Sequence, residues 1–289
     1  MMRICFVGLG TMGLPMASRL VGEGFDLSGW DALPEARERF SNSADTLPAA
    51  VTEADVLLTM LPEGADVEAT YEIVLGLALP ERVLFVDCST IDIETTRNLA
   101  RRVRAAGHGF IDAPVSGGAE GARAGTLSFM VGGAAEDIER GRPVLAAMGS
   151  RITAFGEAGT GQAAKACHNM ICGITALAVC EAFALAQSLE LDADKFFTLC
   201  QGAAAQSWIL ENRCPVPGVA PAAPSSNAYA PGFAARLMAK DLRLAQAAAS
   251  LSGQEIPFGA AAAERFSAFV ASGDGNLDFS AIFQQIRRG

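Results

Sequence analysis

The stretch GQAAKACHNMICGITALAVCEAFALAQSLEL, residues 161–191, holds no proline and a single lysine, and it reads as one helix. At ~1.5 Å per residue such a helix runs roughly 45 Å, longer than a small domain is wide, so it is expected to serve two domains. Residues 172–189 are nearly apolar. Glu181 and Gln187 interrupt them, however, and neither a basic flank nor an aromatic belt follows, which argues against a membrane span. Lys165 and Asn169 stand four apart, so their side chains stack on one helical face. They form a candidate catalytic pair; the competing reading is a core helix with an incidental surface lysine.

Upstream of this helix, strands and helices alternate. The apolar run at residues 3–7 leads into Gly8-Leu9-Gly10-Thr11-Met12-Gly13 and then a helical pattern, with Pro15 tolerated in its first turn. This is GxGxxG in the order strand, turn, helix. Gly8 permits the tight turn, Gly10 lets a pyrophosphate approach the backbone, and Gly13 allows close helix-to-strand packing. The phosphates are expected at the positive end of the helix. A second strand, residues 25–30, ends at Asp31, where a carboxylate accepts hydrogen bonds from ribose hydroxyls and repels a 2′-phosphate. The expected cofactor is therefore NAD rather than NADP, with a plain turn acid as the alternative for Asp31.

Further strands are expected at residues 55–60, 83–88, 127–131 and 151–155, with helices near 64–75, 92–106 and 134–148. The alternation implies a parallel sheet whose ligands bind beyond the carboxyl ends of its strands. Leu61 and Pro62 leave one such end and are candidates for the adenosine side of the cofactor. Thr90 leaves another and is a candidate for the nicotinamide ribose. Ordinary strand-to-helix turns explain these residues equally well. A further strand at residue 110 breaks into Ser116-Gly117-Gly118, where consecutive N–H groups offer a nest for a substrate carboxylate, with a glycine turn as the alternative.

After residue 191 the elements look helical, near 194–203, 207–213, 233–251, 258–272 and 279–287. Between them, residues 214–232 carry Pro215, Pro217, Pro221, Pro224 and Pro231, a long loop read as a covering loop rather than a linker. Lys240, beside Asp241, is a candidate for returning positive charge to the cofactor; a solvated surface pair is the alternative. The expected fold is α/β: a Rossmann-type doubly wound parallel sheet domain (1–160) followed by an all-α substrate and oligomerisation domain (161–289).

Composition narrows the partners. Of 289 residues 51% are hydrophobic and 19% charged, which marks a compact globular chain. With 22 basic against 32 acidic residues and no basic run, nucleic acid and anionic membrane surfaces are not expected. The seven cysteines are scattered in apolar runs without a CxxC pair, and His108 and His168 are the only histidines, so no metal site is expected. Those cysteines, with an N-terminus that enters a strand at once, make a reducing cytoplasmic setting the expectation.

Together these motifs identify the chain as resembling the β-hydroxyacid dehydrogenases. The resemblance runs through GLGTMG (8–13), MLPEG (60–64), DCSTID (87–92), DAPVSGGAEGARAGTLSFMVGG (112–133), GQAAKACHNM (161–170), PVPGV (215–219) and LMAKDLRLA (237–245). It implies a 6-phosphogluconate dehydrogenase-like fold, with Lys165 and Asn169 as the catalytic pair. It further implies that Ser116, Gly117 and Gly118 hold the substrate carboxylate, and that Leu61, Pro62, Asp66, Thr90 and Lys240 lie along the cofactor. Phe233, which opens the helix bearing Lys240, joins the expected substrate-binding residues. The PVPGV and MAKD segments are more similar to members acting on hydroxyisobutyrate than to those acting on tartronate semialdehyde. One departure is His168, where the family usually has a second asparagine.

The expected reaction is NAD-dependent oxidation of a short β-hydroxy acid, with Lys165 as general acid/base, Asn169 positioning it, and an alkaline optimum for oxidation. Three alternatives are a sister dehydrogenase or semialdehyde reductase, a cyclic-imine reductase, and a non-catalytic NAD-binding protein. Lysine at position 165 argues against the imine reductase. The alanine-rich helical half and the resemblance imply a homodimer or homotetramer.

Overall fold

The computed structural model describes residues 2–287, and the chain divides into two compact units, Met1–Lys165 and Ala166–Gly289. The first unit opens with β1 (Arg3–Val7), α1 (Gly13–Gly22) and β2 (Asp26–Trp30), followed by short helices α2 (Pro34–Glu38) and α3 (Leu47–Val51). It continues with β3 (Val56–Thr59), α4 (Gly64–Leu75), β4 (Leu84–Asp87), α5 (Ile93–Ala105) and β5 (Gly109–Asp112). Then come β6 (Val115–Ser116), α6 (Gly118–Ala124), β7 (Leu127–Gly133), α7 (Ala135–Met148), β8 (Gly149–Gly156) and the start of α8 (Thr160–Ser188).

The strands form one sheet in the order β2-β1-β3-β4-β5-β7-β6, with β8 also paired to β7. Because successive side chains point to opposite faces, β1 feeds two cores. Ile4 and Phe6 pack with Met16 and Leu20 of α1 and Leu145 of α7. Cys5 and Val7 pack on the other side with Tyr71 of α4 and Leu99 of α5. Burial on both faces is why these strands read as unbroken apolar runs.

The sheet is parallel from β2 through β5, but β7 runs antiparallel to both β5 and β6, which corrects the all-parallel expectation. The physical reason is connection length. Residues 117–126, which join β6 to β7, fall short of the dozen or so that a parallel crossover needs. From β7 to β8, where α7 intervenes, the pairing is parallel again.

In the second unit the rest of α8 is followed by α9 (Ala193–Gln201), α10 (Trp208–Arg213), α11 (Ala235–Ser252), α12 (Pro257–Phe269) and α13 (Phe283–Ile286). Phe183, Leu210, Met238, Leu242, Phe266 and Phe283 supply its core. α8 stops at Ser188 rather than residue 191, because Glu190 takes a left-handed conformation and Asp192 caps α9 by accepting from the Lys195 N–H. The helix expected over 258–272 ends at Phe269, and Gly273 (φ 104°) interrupts the irregular turn Val270–Asp274. The last helix begins as a 3₁₀ turn, Phe279–Ile282.

The proline-rich segment is packed rather than loose. Cys214, Val216, Ala220, Ala223 and Tyr229 are buried in the core of the second unit. The Tyr229 hydroxyl donates to the Pro215 carbonyl at 2.7 Å, and the Ser225 hydroxyl donates to that of Cys214 at 2.6 Å. Prolines remove backbone donors that would otherwise need partners in such a packed loop. All seven cysteines are free thiols, and burial pushes that of Cys5 up to about 12.

Candidate active site

The turn after β1 has the form its glycines require. Gly8 sits at φ 98°, where a side chain is disfavoured, and a Cβ there would overlap the Met60 carbonyl. A Cβ at Gly13 would overlap the Gly8 carbonyl, so the first turn of α1 can lie against the strand only without one. At Gly10, by contrast, an added Cβ meets nothing within 4 Å, and the residue is exposed. The turn thus keeps open space at the glycine expected beside the phosphates. Leu9 is buried, Thr11 exposed and Met12 half-buried.

Asp31, just beyond β2, locks this turn. Its carboxylate accepts the Leu9 N–H at 2.7 Å and the Leu33 N–H at 2.9 Å. The acid therefore stands directly against the glycine-rich turn, where an adenosine ribose belongs, and the residues present fit a dinucleotide.

A buried polar chain crosses the carboxyl ends of β3 and β4. The Thr59 hydroxyl donates to Asp87 Oδ1 at 2.9 Å, and the same oxygen accepts the Ser89 N–H at 3.0 Å. The Ser89 hydroxyl in turn accepts the Leu61 N–H at 2.9 Å, which fixes the backbone of one candidate cofactor residue. Pro62 is exposed and Thr90 half-buried. Asp66 serves its own helix, accepting the Glu63 N–H at 3.1 Å in a capping box at the start of α4.

At the end of β5, Asp112 receives the first turn of α8. Its carboxylate accepts the Gly159 N–H at 2.7 Å and the Gln162 N–H at 2.9 Å, satisfying donors that a helix start leaves orphaned. Burial pushes its pKa up to about 6, against the opposing pull of those N–H groups, and neighbouring Asp87 raises it further. Gly161 lets the helix come this close. A Cβ there would overlap the Met130 carbonyl and sit 2.7 Å from Asp112 Oδ2.

One turn further along, Lys165 is 7% exposed and donates from Nζ to the Val115 carbonyl at 2.7 Å. Val115 precedes Ser116, Gly117 and Gly118, so the first unit brings the lysine and this segment together. Gly117 lies at φ 133°, a conformation that only glycine adopts readily, and α6 begins at Gly118. The glycine turn is therefore present as expected.

The remaining candidates belong to the second unit. Asn169 lies one turn beyond Lys165 on α8 and is buried. Its Nδ2 donates to Asp241, and its Oδ1 is 2.8 Å from His168 Nδ1. Its orientation is thus set at both ends, and His168 does part of this. Lys240 is buried on α11 rather than a solvated surface residue. Phe233 packs edge-on against Phe279, and its N–H donates to Asp278 at 3.0 Å. The sequence reading singles out neither Asp112 nor Gln162, and takes Asp241 only as a neighbour of Lys240. The available signal was polar side chains beside apolar runs.

Comparison with known proteins matches both units to dinucleotide-dependent dehydrogenase families, one named for NAD and one for an NADP-dependent enzyme. Residues 3–156 match the family model described as the NAD binding domain of 6-phosphogluconate dehydrogenase. Residues 159–286 match that described as the NAD-binding domain of NADP-dependent 3-hydroxyisobutyrate dehydrogenase. The probable 3-hydroxyisobutyrate dehydrogenase of Mycobacterium tuberculosis is 43% identical over 291 residues, covering 99% of this chain and 98% of that protein. The human mitochondrial 3-hydroxyisobutyrate dehydrogenase is 38% identical over 288 residues, covering 98% and 86%. A solved structure of the Mycobacterium tuberculosis enzyme with L-serine matches with a TM-score of 0.93 at 43% identity, covering 99% of this chain and all of that one.

Proposed function

This chain belongs to the 3-hydroxyisobutyrate dehydrogenase family, and on that premise we propose that it oxidises 3-hydroxyisobutyrate to methylmalonate semialdehyde at the site built around Lys165. The observation that carries this reading is the setting of Lys165. A buried amine is held on the Val115 carbonyl, beside the Ser116–Gly117–Gly118 turn and one helical turn from Asn169. The chain carries nicotinamide dinucleotide-binding domains, and their cofactor supplies the hydride acceptor when bound.

Gly8, Leu9, Gly10, Thr11, Met12 and Gly13 would hold the pyrophosphate, and Asp31 the adenosine ribose. Asp31 favours NAD, because its carboxylate would face a 2′-phosphate as a like charge. Leu61, Pro62, Asp66, Thr90 and Lys240 are assigned to the cofactor. Ser116, Gly117, Gly118 and Phe233 are assigned to the substrate, whose carboxylate needs the N–H donors of the glycine turn. In oxidation, Nζ of neutral Lys165 takes the hydroxyl proton, and in reduction the ammonium returns it. Asn169, with its amide fixed by Asp241 and His168, positions the lysine and the substrate oxygen. Because oxidation needs the neutral amine, its rate is expected to rise toward alkaline pH.

The test is absorbance-monitored NAD reduction with 3-hydroxyisobutyrate, 3-hydroxypropionate, glycerate, 4-hydroxybutyrate and serine. The highest kcat/KM is expected with 3-hydroxyisobutyrate. A different best substrate would reassign the chain to a sister activity, and no reduction with any would end the dehydrogenase reading.

The same proposal includes a homodimer or homotetramer. Ile171 and Leu185 on α8, and Leu189 just beyond its end, are each more than half exposed, apolar surface that self-association would bury. Light scattering of the wild type and Leu185→Glu tests this, and a monomeric wild type would refute it. Free, largely buried thiols suit a reducing compartment, and we place the protein in the cytoplasm.

A further inference from the structure

Gln162 lies in the first turn of α8, three residues before Lys165, and is 2% exposed. Its side-chain amide is engaged at both ends. Nε2 donates to the Ser89 carbonyl at 2.8 Å, and Oε1 accepts the Ile91 N–H at 3.2 Å. These groups belong to the two peptide planes on either side of Thr90. The only soft rotations between consecutive peptide planes are the φ and ψ of the residue they enclose. One amide therefore fixes the backbone of Thr90, while the Gln162 N–H fixes the helix to Asp112 at 2.9 Å.

We propose that Gln162 is a positioning residue for the dehydrogenase reaction, its amide setting the orientation of Thr90 in register with the helical turn that carries Lys165. The inference rests on the reading of Thr90 as a contact for the nicotinamide half of the cofactor. Merely filling space would not require an amide, since leucine or methionine would occupy the position without buried polar atoms to satisfy. The bonding pattern asks for one donor and one acceptor on adjacent atoms, aimed at a carbonyl and an N–H. Of the uncharged side chains, glutamine at this reach supplies both.

Two variants separate positioning from bulk. Gln162→Leu removes both bonds at similar volume. Gln162→Glu keeps an acceptor for the Ile91 N–H, but when ionised sets a second oxygen against the Ser89 carbonyl. When protonated, it regains the donor. The charged or titratable groups around this position include Asp112, which holds the Gln162 N–H, Asp87 and Cys88 on the adjoining strand end, Asp92 beside Ile91, Arg97 of α5, which packs against Gly159, and Lys165 on the next turn. Burial and the aspartates favour protonation of an introduced carboxyl, whereas Lys165 and Arg97 oppose it.

Binding is measured calorimetrically with NADH and with ADP, which reports the adenosine side alone, each variant being compared with wild type at the same pH. For Gln162→Leu, the NADH Kd is expected to rise about tenfold at every pH while the ADP Kd stays within about twofold, with kcat lowered alongside. For Gln162→Glu, NADH affinity is expected to be weak at pH 8 and to recover toward wild type at pH 6. The proposal is overturned if ADP and NADH weaken in parallel, or if neither changes. It is also overturned if Gln162→Glu shows no recovery on acidification, a result that decides the matter even should Gln162→Leu not fold. Wild type failing to bind NADH at all is a separate outcome, which removes the dehydrogenase reading and this proposal with it.

Discussion

Gly161→Ala sets two effects of opposite sign against each other. In an exposed helix interior, alanine is favoured over glycine by about 1 kcal/mol. At this position the added methyl overlaps the Met130 carbonyl and lies 2.7 Å from Asp112 Oδ2 and 2.9 Å from the Asp112 carbonyl. Ordinary carbon-to-oxygen contacts are about 3.3 Å or more, so the first turn of α8 must withdraw by roughly 0.5–1 Å. Overpacking of this kind costs about 1–3 kcal/mol, and the obstacle here is largely backbone, which cannot rotate aside. The net expectation is a loss of about 1 kcal/mol in stability, measured by urea unfolding. The larger effect should fall on turnover. Lys165 is carried on the same turn-to-turn frame, and a misplacement of about 1 Å at a reacting group costs up to a hundredfold. NAD reduction at saturating substrate reads this directly. A variant that is more stable than wild type with full turnover would show that α8 is not seated on β7 and Asp112 as described.

Three further outcomes are expected. Lys165→Ala should lower turnover by about 10²–10⁴-fold while NADH binding measured by calorimetry barely changes; near-normal turnover would remove Lys165 as acid/base. Asp31→Asn should reduce the preference for NAD over NADP at least about tenfold in kcat/KM, since one negative charge facing the ribose is lost; an unchanged ratio would move cofactor choice elsewhere. The third concerns Asp112, whose folded pKa of about 6 exceeds that of an unfolded aspartate. Below the unfolded value both states are protonated; as pH rises through about 4 to 6 the unfolded state sheds its proton first, so this group's contribution to stability falls by about 3 kcal/mol. The stability difference between wild type and Asp112→Asn should therefore shift against wild type across that window in urea titrations. A difference independent of pH would refute the shift.

Much of the first unit was legible because its signals are local. The spacing of Gly8, Gly10 and Gly13 encodes a turn in which a Cβ at Gly8 or Gly13 would overlap a carbonyl while Gly10 faces open space. The helix through Lys165 and Asn169 was likewise legible from one uninterrupted stretch. What escaped were features decided by residues distant in sequence. Gln162 meets Ser89 across 73 positions and Asn169 meets Asp241 across 72, separations that no window of periodicity spans. The direction of β7 follows from the shortness of residues 117–126, and the strand's own pattern is the same either way up. The internal packing of the proline-rich segment was not legible either, because its composition marks a long loop without showing that Tyr229 and Ser225 staple it to itself.

The anchor of Lys165 is a main-chain atom. The Val115 carbonyl is held by the pairing of β6 with β7 and by the Val115 side chain, which packs in the core of the first unit. On the role proposed for Lys165, substitutions elsewhere around the substrate would alter which acids are accepted without displacing the proton-handling amine. Such an arrangement would let one chemistry persist while its clientele diversifies.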